Sequence, residues 1–286
     1  MTRFLNQRLL LHIFFKMEIC ISKKTMELSI QNRNRHKVIN DLDILAQLRF
    51  FNLYFEGKIS AMPDYDNKKC YICGSENADS DDHVPPKNLF LKKYRKLGPD
   101  LITVPAHEKC NKSFEKDDEY FRYFVLIPSY WENERARELW DAKIKKQIHR
   151  PQSEGFRQYL LNHIGPLQAR TLSGIKIGDF DAAYIDVGRV EGVIERTSRG
   201  IYYKKTKTIL PLDCPVSIGF MKPQVRQVRN DNSSKFSLIA DGIFRYACEW
   251  DPNDNKNGMY WFVFFESVDF WVFTGNPANR ANLWNV

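Results

Sequence analysis

Residues 70–111 read CYICGSENADSDDHVPPKNLFLKKYRKLGPDLITVPAHEKCN, and the fold turns on what the two ends of this stretch share. Cys70-Tyr-Ile-Cys73 opens it and His107-Glu-Lys-Cys110 closes it, each pairing two metal-binding side chains across a two-residue gap. Three thiolates and an imidazole are soft or borderline donors that close tetrahedrally on Zn²⁺, so the spacing predicts a structural site of Cys70, Cys73, His107 and Cys110. A redox CxxC, or cysteines that merely pack, would account for the first pair but leave the matched second pair unexplained. A ββα unit between the knuckles has a small core, so the metal is expected to stabilise the fold itself.

Inside the knuckles lies Asp81-Asp82-His83-Val84-Pro85-Pro86, and Asn111 follows the last cysteine. Hydrolysing a phosphodiester needs a base to take a proton from water and a divalent cation to neutralise the charge that develops. Histidine suits the first task because its ordinary pKa lies near neutrality. An Asp carboxylate and an Asn amide are hard oxygen donors suited to Mg²⁺ or Mn²⁺. Neighbours on a strand point to opposite faces, so Asp82 and His83 act on one centre only if the chain bends there. The two following prolines make such a turn available.

Cys70-x₂-Cys73, Asp82-His83-Val84-x-Pro86 and His107-x₂-Cys110-Asn111 together resemble the HNH endonucleases, over residues 68–126. The resemblance implies a ββα-metal fold with the Asp-His pair at the end of one strand and the Asn on the following helix. It implies Asp82 as a ligand of a catalytic Mg²⁺ or Mn²⁺, His83 as general base, and Asn111 as the second protein ligand or its positioner. Cys70, Cys73, His107 and Cys110 are then the structural zinc set. Two features depart from the pattern. His107 stands where cysteine is commoner, which zinc accepts. No histidine follows Asn111 before His149, and Glu115, one helical turn on, is the oxygen donor available in its place.

The expected activity is metal-dependent endonuclease cleavage of DNA, with RNA left open as a substrate. The alternative is a non-catalytic, zinc-stabilised nucleic-acid-binding or regulatory module. In either case Lys87, Lys92, Lys93, Arg95, Lys96, Lys109 and Lys112 are candidate phosphate contacts, which predicts salt-sensitive and largely sequence-independent affinity. Asp117, Asp118 and Glu119 would repel DNA and are expected to face elsewhere. Phe114, Phe121 and Val125 are spaced for one helix face beside the metal site.

The 286-residue chain is 43% hydrophobic and 14% aromatic, enough to build a core. Its net charge of +8 is uneven. Residues 1–61 carry ten basic and five acidic side chains, while the rest is nearly balanced, so only local clusters argue for nucleic acid. Six cysteines are too few for a disulfide scaffold, and the longest apolar run, Leu9 to Phe15, is too short to cross a membrane. A cytoplasmic protein is expected.

The predicted fold class is α+β: a zinc-bound ββα-metal module, then helices, then a mainly β C-terminal domain. Residues 1–61 read as an appendage, either upstream of a true initiator at Met62 or an arm that is mobile or helical, the helix falling over 38–55. Residues 62–127 form the nuclease module, 128–170 a helical segment, and 171–286 the β domain of unknown role. Four-residue spacing of Ala136, Trp140, Ile144 and Ile148 predicts one helix over 132–149, and a second runs from Ser153 to a stop at Gly165-Pro166, with His163 packed. Strands are expected within 183–193, 200–205, 216–219, 237–249 and 260–274, with 251–258 a hairpin connection. Cys214 and Cys248 read as buried thiols.

Overall fold

A computed structural model describes residues 68–96, 101–170, 174–220 and 235–276. The expectations for residues 1–61, including Met62 as initiator and a helix over 38–55, lie outside them, as does Cys20. The architecture is α+β: an early β-hairpin carrying the metal cluster, a helical segment, and a separate five-stranded sheet. None of the helices among the described residues is long and apolar enough to cross a membrane.

The chain divides into two compact units. Among the described residues, one comprises those within 126–187 and the other joins those within 68–125 to those within 188–276.

In the second unit, β1 (Ser80–Val84) pairs antiparallel with β2 (Ile102–Ala106), in unbroken register from Ser80 opposite Ala106 to Val84 opposite Ile102. Then come α1 (Glu108–Lys112) and α2 (Glu115–Ser129), which carries Pro128 in its last turn.

Within the first unit, α3 (Glu134–Leu139) begins at Asn133, whose side chain accepts the Ala136 N–H at 3.1 Å. It continues through a π turn (Trp140–Ile144) into α4 (Lys145–Ile148), and α5 (Glu154–Asn162) follows. Of the four-spaced residues Ala136, Ile144 and Ile148 are buried and Trp140 is half-buried, with Leu139 buried beside them. α5 stops before Gly165-Pro166, and β3 (Ile164–Arg170) pairs with β4 (Lys176–Ala183) as a hairpin. His163 caps α5 half-buried, its ring 4.1 Å from that of Tyr159 and its Nδ1–H donating to the Tyr159 carbonyl at 2.7 Å.

The largest departure from the expected strands is α6 (Val187–Thr206), a 20-residue helix where 183–193 and 200–205 read as β. Val190, Val193, Ile194, Thr197, Ile201, Tyr202 and Tyr203 are all buried. A helix buried on nearly every side loses the apolar-polar alternation that betrays a helical period, and its β-branched and aromatic composition then mimics a strand.

The remaining strands are β5 (Val216–Phe220), β6 (Ser237–Ile239), β7 (Phe244–Trp250), β8 (Gly258–Phe264) and β9 (Val268–Thr274), in the order β5-β9-β8-β7-β6. Two predicted runs each split into a hairpin. Positive-φ turns at Ala240, Asp241 and Gly242, and at Phe265 and Glu266, reverse the chain inside them. β8 is buried at every position, as expected for a central strand covered on both faces. α2 lays Phe121 and Phe124 on one face of this sheet: Phe121 meets Phe264 edge-on at 5.1 Å, and Phe124 meets Phe220 at 5.6 Å. The helix beside the metal cluster is thus anchored on the sheet.

Candidate metal centre

The first knuckle is shaped by its backbone. The Gly74 N–H donates to the Cys70 carbonyl and the Cys70 N–H to the Ser75 carbonyl, both at 2.8 Å, which folds residues 70–75 into a tight turn. Gly74 closes it at φ +76°, a conformation side chains resist. The Tyr71 N–H donates to Pro105 O at 3.0 Å, tying the knuckle to β2. The second knuckle starts α1, and the Glu108 N–H at its first turn is capped by Asp79 Oδ1 at 2.8 Å.

These turns bring the ligand atoms of Cys70, Cys73, His107 and Cys110 within 4.8 Å of one another, the one such cluster among the described residues. His107 Nδ1 lies 3.3 Å from Cys73 Sγ and 3.9 Å from Cys110 Sγ. Its Nε2–H donates to the Glu76 carbonyl at 2.9 Å, which fixes the tautomer and leaves Nδ1 as the lone-pair donor. The His107 N–H also points at Cys70 Sγ at 3.4 Å, ready to stabilise a thiolate. The Ser75 N–H pulls the Cys73 thiol down to about 6, whereas burial pushes Cys110 up to about 11. A bound cation would therefore displace a proton from Cys110 in particular, and the donor set fits one thiophilic ion.

Asp82 and His83 are not brought together. The ladder runs unbroken to Val84 and the bend begins only at Pro85, so strand parity puts Asp82 with Val84 on the buried face and His83 with Asp81 on the other. The turn expected from the prolines falls one residue too late to rotate His83 toward Asp82.

Asp82 is 3% exposed. Its Oδ2 accepts the Tyr71 hydroxyl at 2.5 Å and lies 3.5 Å from Arg196 Nη1, while its Oδ1 accepts the His83 N–H at 2.7 Å. Arg196, on α6, pairs through Nη2 with Asp118 and lies over the Phe114 ring at 4.6 Å. Burial works against the Arg196 charge, but Asp118 and Asp82 outweigh it and hold its pKa above the ordinary value. Burial, and then the Asp82 charge, keeps the Tyr71 hydroxyl protonated well above its usual range, as a donor to that carboxylate.

Local motif reading missed Tyr71 and Arg196. Tyr71 is legible only as a CxxC filler, and Arg196 lies 114 residues from Asp82. The three acidic residues that open α2 are taken up in ion pairs: Asp117 binds Arg189 at 2.6 Å, Asp118 binds Arg196, and Glu119 lies 3.5 Å from Arg122.

His83 is half-buried. Burial, then Lys87 and Arg95, hold its imidazole below the ordinary value against the opposing pull of Asp82 and Asp81. Asn111 Nδ2 reaches the Asp81 carbonyl at 3.5 Å. The pair that the HNH resemblance implies for a catalytic cation, Asp82 with Asn111, does not fit a common ion here, because the Asp82 carboxylate is committed to Tyr71 and Arg196. Glu115 opens α2 on an exposed turn.

Of the cationic turn, Lys87, Lys92, Lys93 and Lys96 are exposed or half-exposed. Lys93 lies over Tyr94 at 4.8 Å. Arg95 is used structurally, donating to Phe90 O at 3.1 Å and Lys87 O at 3.3 Å. Lys109 is exposed, and Lys112 forms an exposed i,i+4 pair with Glu108 at 2.7 Å. Comparison with family models, with curated proteins and with solved structures returns no match to this chain. The site therefore defines the protein only as a metal-binding module in an α+β chain.

Proposed function

We propose that this chain is a zinc-stabilised nucleic-acid-binding module of HNH type. Cys70, Cys73, His107 and Cys110 would hold one structural Zn²⁺, and the lysines after β1 would contact phosphates. The observation that carries the reading is the convergence of three thiols and the Nδ1 of a tautomer-fixed imidazole within 4.8 Å. Such a donor set fills a tetrahedral zinc shell, which suits a structural ion. The cationic turn sits directly on the strand that the cluster anchors, and exposed lysines there recognise backbone charge without reading sequence.

The test is fluorescence anisotropy of labelled duplex DNA and of RNA against the full chain over a salt series. Binding is expected to weaken steeply with salt, and the log–log slope to fall by about one for each phosphate-contacting lysine removed, as in Lys92→Ala and Lys93→Ala. Salt-independent binding, or none, contradicts the proposal.

A second reading, an HNH endonuclease, is favoured by His83. Its depressed pKa keeps the imidazole neutral near pH 7, and a neutral imidazole can take a proton from water. Lys87 beside it, exposed, would hold the phosphate. Plasmid nicking tested with Mg²⁺ and with Mn²⁺ decides between the readings. Nicking that disappears in His83→Ala at unchanged zinc content supports the nuclease, and intact wild-type plasmid leaves the binding module.

A further inference from the structure

We infer that Tyr71 is a positioning residue that carries the state of the metal knuckle to the cationic turn, through a buried chain of contacts formed by Asp82, Arg196, Asp118 and Asn88. This link builds on the zinc-stabilised binding module proposed above and adds a dependence to it: metal occupancy at one end of the module sets the order of the lysines at the other.

Tyr71 stands between two of the four ligands, so closure of Cys70 and Cys73 on one ion fixes its backbone as well. Its N–H donates to Pro105 O at 3.0 Å, and its side chain is buried. From there the hydroxyl reaches Asp82 Oδ2 at 2.5 Å. Without the ion, the knuckle keeps only its hydrogen bonds, and the hydroxyl loses its fixed position.

Asp82 passes the contact on in two directions. Its Oδ1 accepts the His83 N–H at 2.7 Å, and its Oδ2 faces Arg196 Nη1 at 3.5 Å. Arg196 is buried, and its Nε and Nη1 make no hydrogen bond among the described residues, so the carboxylates of Asp82 and Asp118 hold the guanidinium in place. A buried charge that loses one of two counter-ions has to move or draw water in.

Asp118 brings the chain of contacts to the turn. Its carboxylate pairs with Arg196, and its backbone carbonyl accepts Asn88 Nδ2–H at 2.9 Å. Asn88 lies in the single 3₁₀ turn Lys87–Leu89, which is bonded to the chain on both sides: Leu89 N–H donates to Pro86 O at 3.1 Å and Arg95 Nη2 to Lys87 O at 3.3 Å. A shift of Asp118 therefore reaches the segment on which Lys87, Lys92, Lys93 and Lys96 stand. Contiguous buried polar contacts of this kind carry coupling because each member has few other partners to turn to.

Hydrogen exchange of the full chain, zinc-loaded and after chelation, tests the link, with zinc content measured on each sample. In the wild type, chelation is expected to accelerate exchange of amides 86–96 as well as 70–75. In zinc-loaded Tyr71→Phe, which removes only the hydroxyl, amides 86–96 are expected to exchange about as fast as in the chelated wild type, while 70–75 stay protected. Zinc affinity, read by chelator competition, is expected to fall in that variant by about tenfold, the lower end of what losing a supporting contact produces. Asn88→Ala cuts the far end and is expected to free the turn while zinc affinity stays within about twofold, well short of that loss. Val263→Ala, buried in β8 outside the network, reports a general loss of stability and is expected to change neither readout. The link is overturned if chelation leaves 86–96 protected in the wild type, if zinc-loaded Tyr71→Phe keeps wild-type protection there, or if Val263→Ala loosens the turn equally. Anisotropy with labelled DNA on the same samples separates the two layers. Tyr71-dependent protection without DNA binding keeps the link and removes the phosphate contacts; DNA binding with a turn indifferent to chelation and to Tyr71 does the reverse.

Discussion

Gly200 of α6 lies so close to Val84 of β1 that a Cβ built on it would stand 2.6 Å from Val84 Cγ1. The helix and the hairpin of the metal module meet backbone to side chain, at a contact only glycine permits. Val84 is itself 1% exposed and cannot swing away into solvent. Gly200→Ala should therefore destabilise the protein by about 1–3 kcal/mol through overpacking, despite the gain of about 1 kcal/mol that alanine brings to a helix interior. Denaturant unfolding of Gly200→Ala, Val84→Ala and the double variant checks this, with the double expected to recover part of the loss.

Arg196 makes a second seam between the same elements. Replacing it by methionine keeps bulk but strands Asp82 and Asp118 in the interior without a counter-charge. A loss of about 3–5 kcal/mol is expected, as for other buried pairs broken from one side. Asp118 is already held above the usual carboxylate range by burial, against the pull of Arg196. Its raised folded pKa means that stability rises as pH falls through that value, so the deficit of Arg196→Met should shrink in mild acid. Chemical denaturation at about pH 7.5 and at about pH 5.5 reads this directly.

Glu249 gives an independent pH signature. Burial pushes its carboxyl up to about 7, with Lys235 pulling the other way, and its Oε2 is buried without a hydrogen bond. A carboxyl whose folded pKa exceeds its unfolded value costs stability when ionised. That cost is present above pH 7, declines as pH falls, and is gone once pH lies below the unfolded value. Glu249→Gln should be the more stable protein at pH 8, by about 1–2 kcal/mol after allowing for its partial exposure, and should lose that advantage near pH 4.5. Comparing variant with wild type at each pH cancels the acid sensitivity of the zinc site.

Chelation should act locally first. With no ion, Cys73 and Cys110 are left with thiols of very different acidity beside an imidazole, in turns held by hydrogen bonds without an apolar core of their own. Hydrogen exchange over residues 68–78 and 107–112 should accelerate before that of β8 and β9, whose side chains are buried throughout the sheet interior. Simultaneous loss of protection in both places would contradict it.

The metal cluster was legible because its signal is local: two-residue gaps in the chain become two adjacent knuckles in space whatever lies between them. The helices at 134–148 and 154–162 were legible from a one-sided apolar stripe. α6 was not, because burial on nearly all sides removes the stripe and Gly200 reads as punctuation instead of a packing contact. The committed state of Asp82 was equally invisible, since Arg196 comes from a distant helix. Strand parity did anticipate that Asp82 and His83 would diverge; what the prolines could not reveal was that the bend waits until after Val84.

Cys70, Cys73, His107 and Cys110 should together hold one tetrahedral ion. X-ray absorption at the zinc edge on the purified full chain tests it most directly, together with metal content. One zinc per chain is expected, with three sulfurs at about 2.3 Å and one nitrogen at about 2.0–2.1 Å, and loss of that signal in Cys73→Ser. A chain that folds without stoichiometric metal, or a shell built of oxygen, would contradict it.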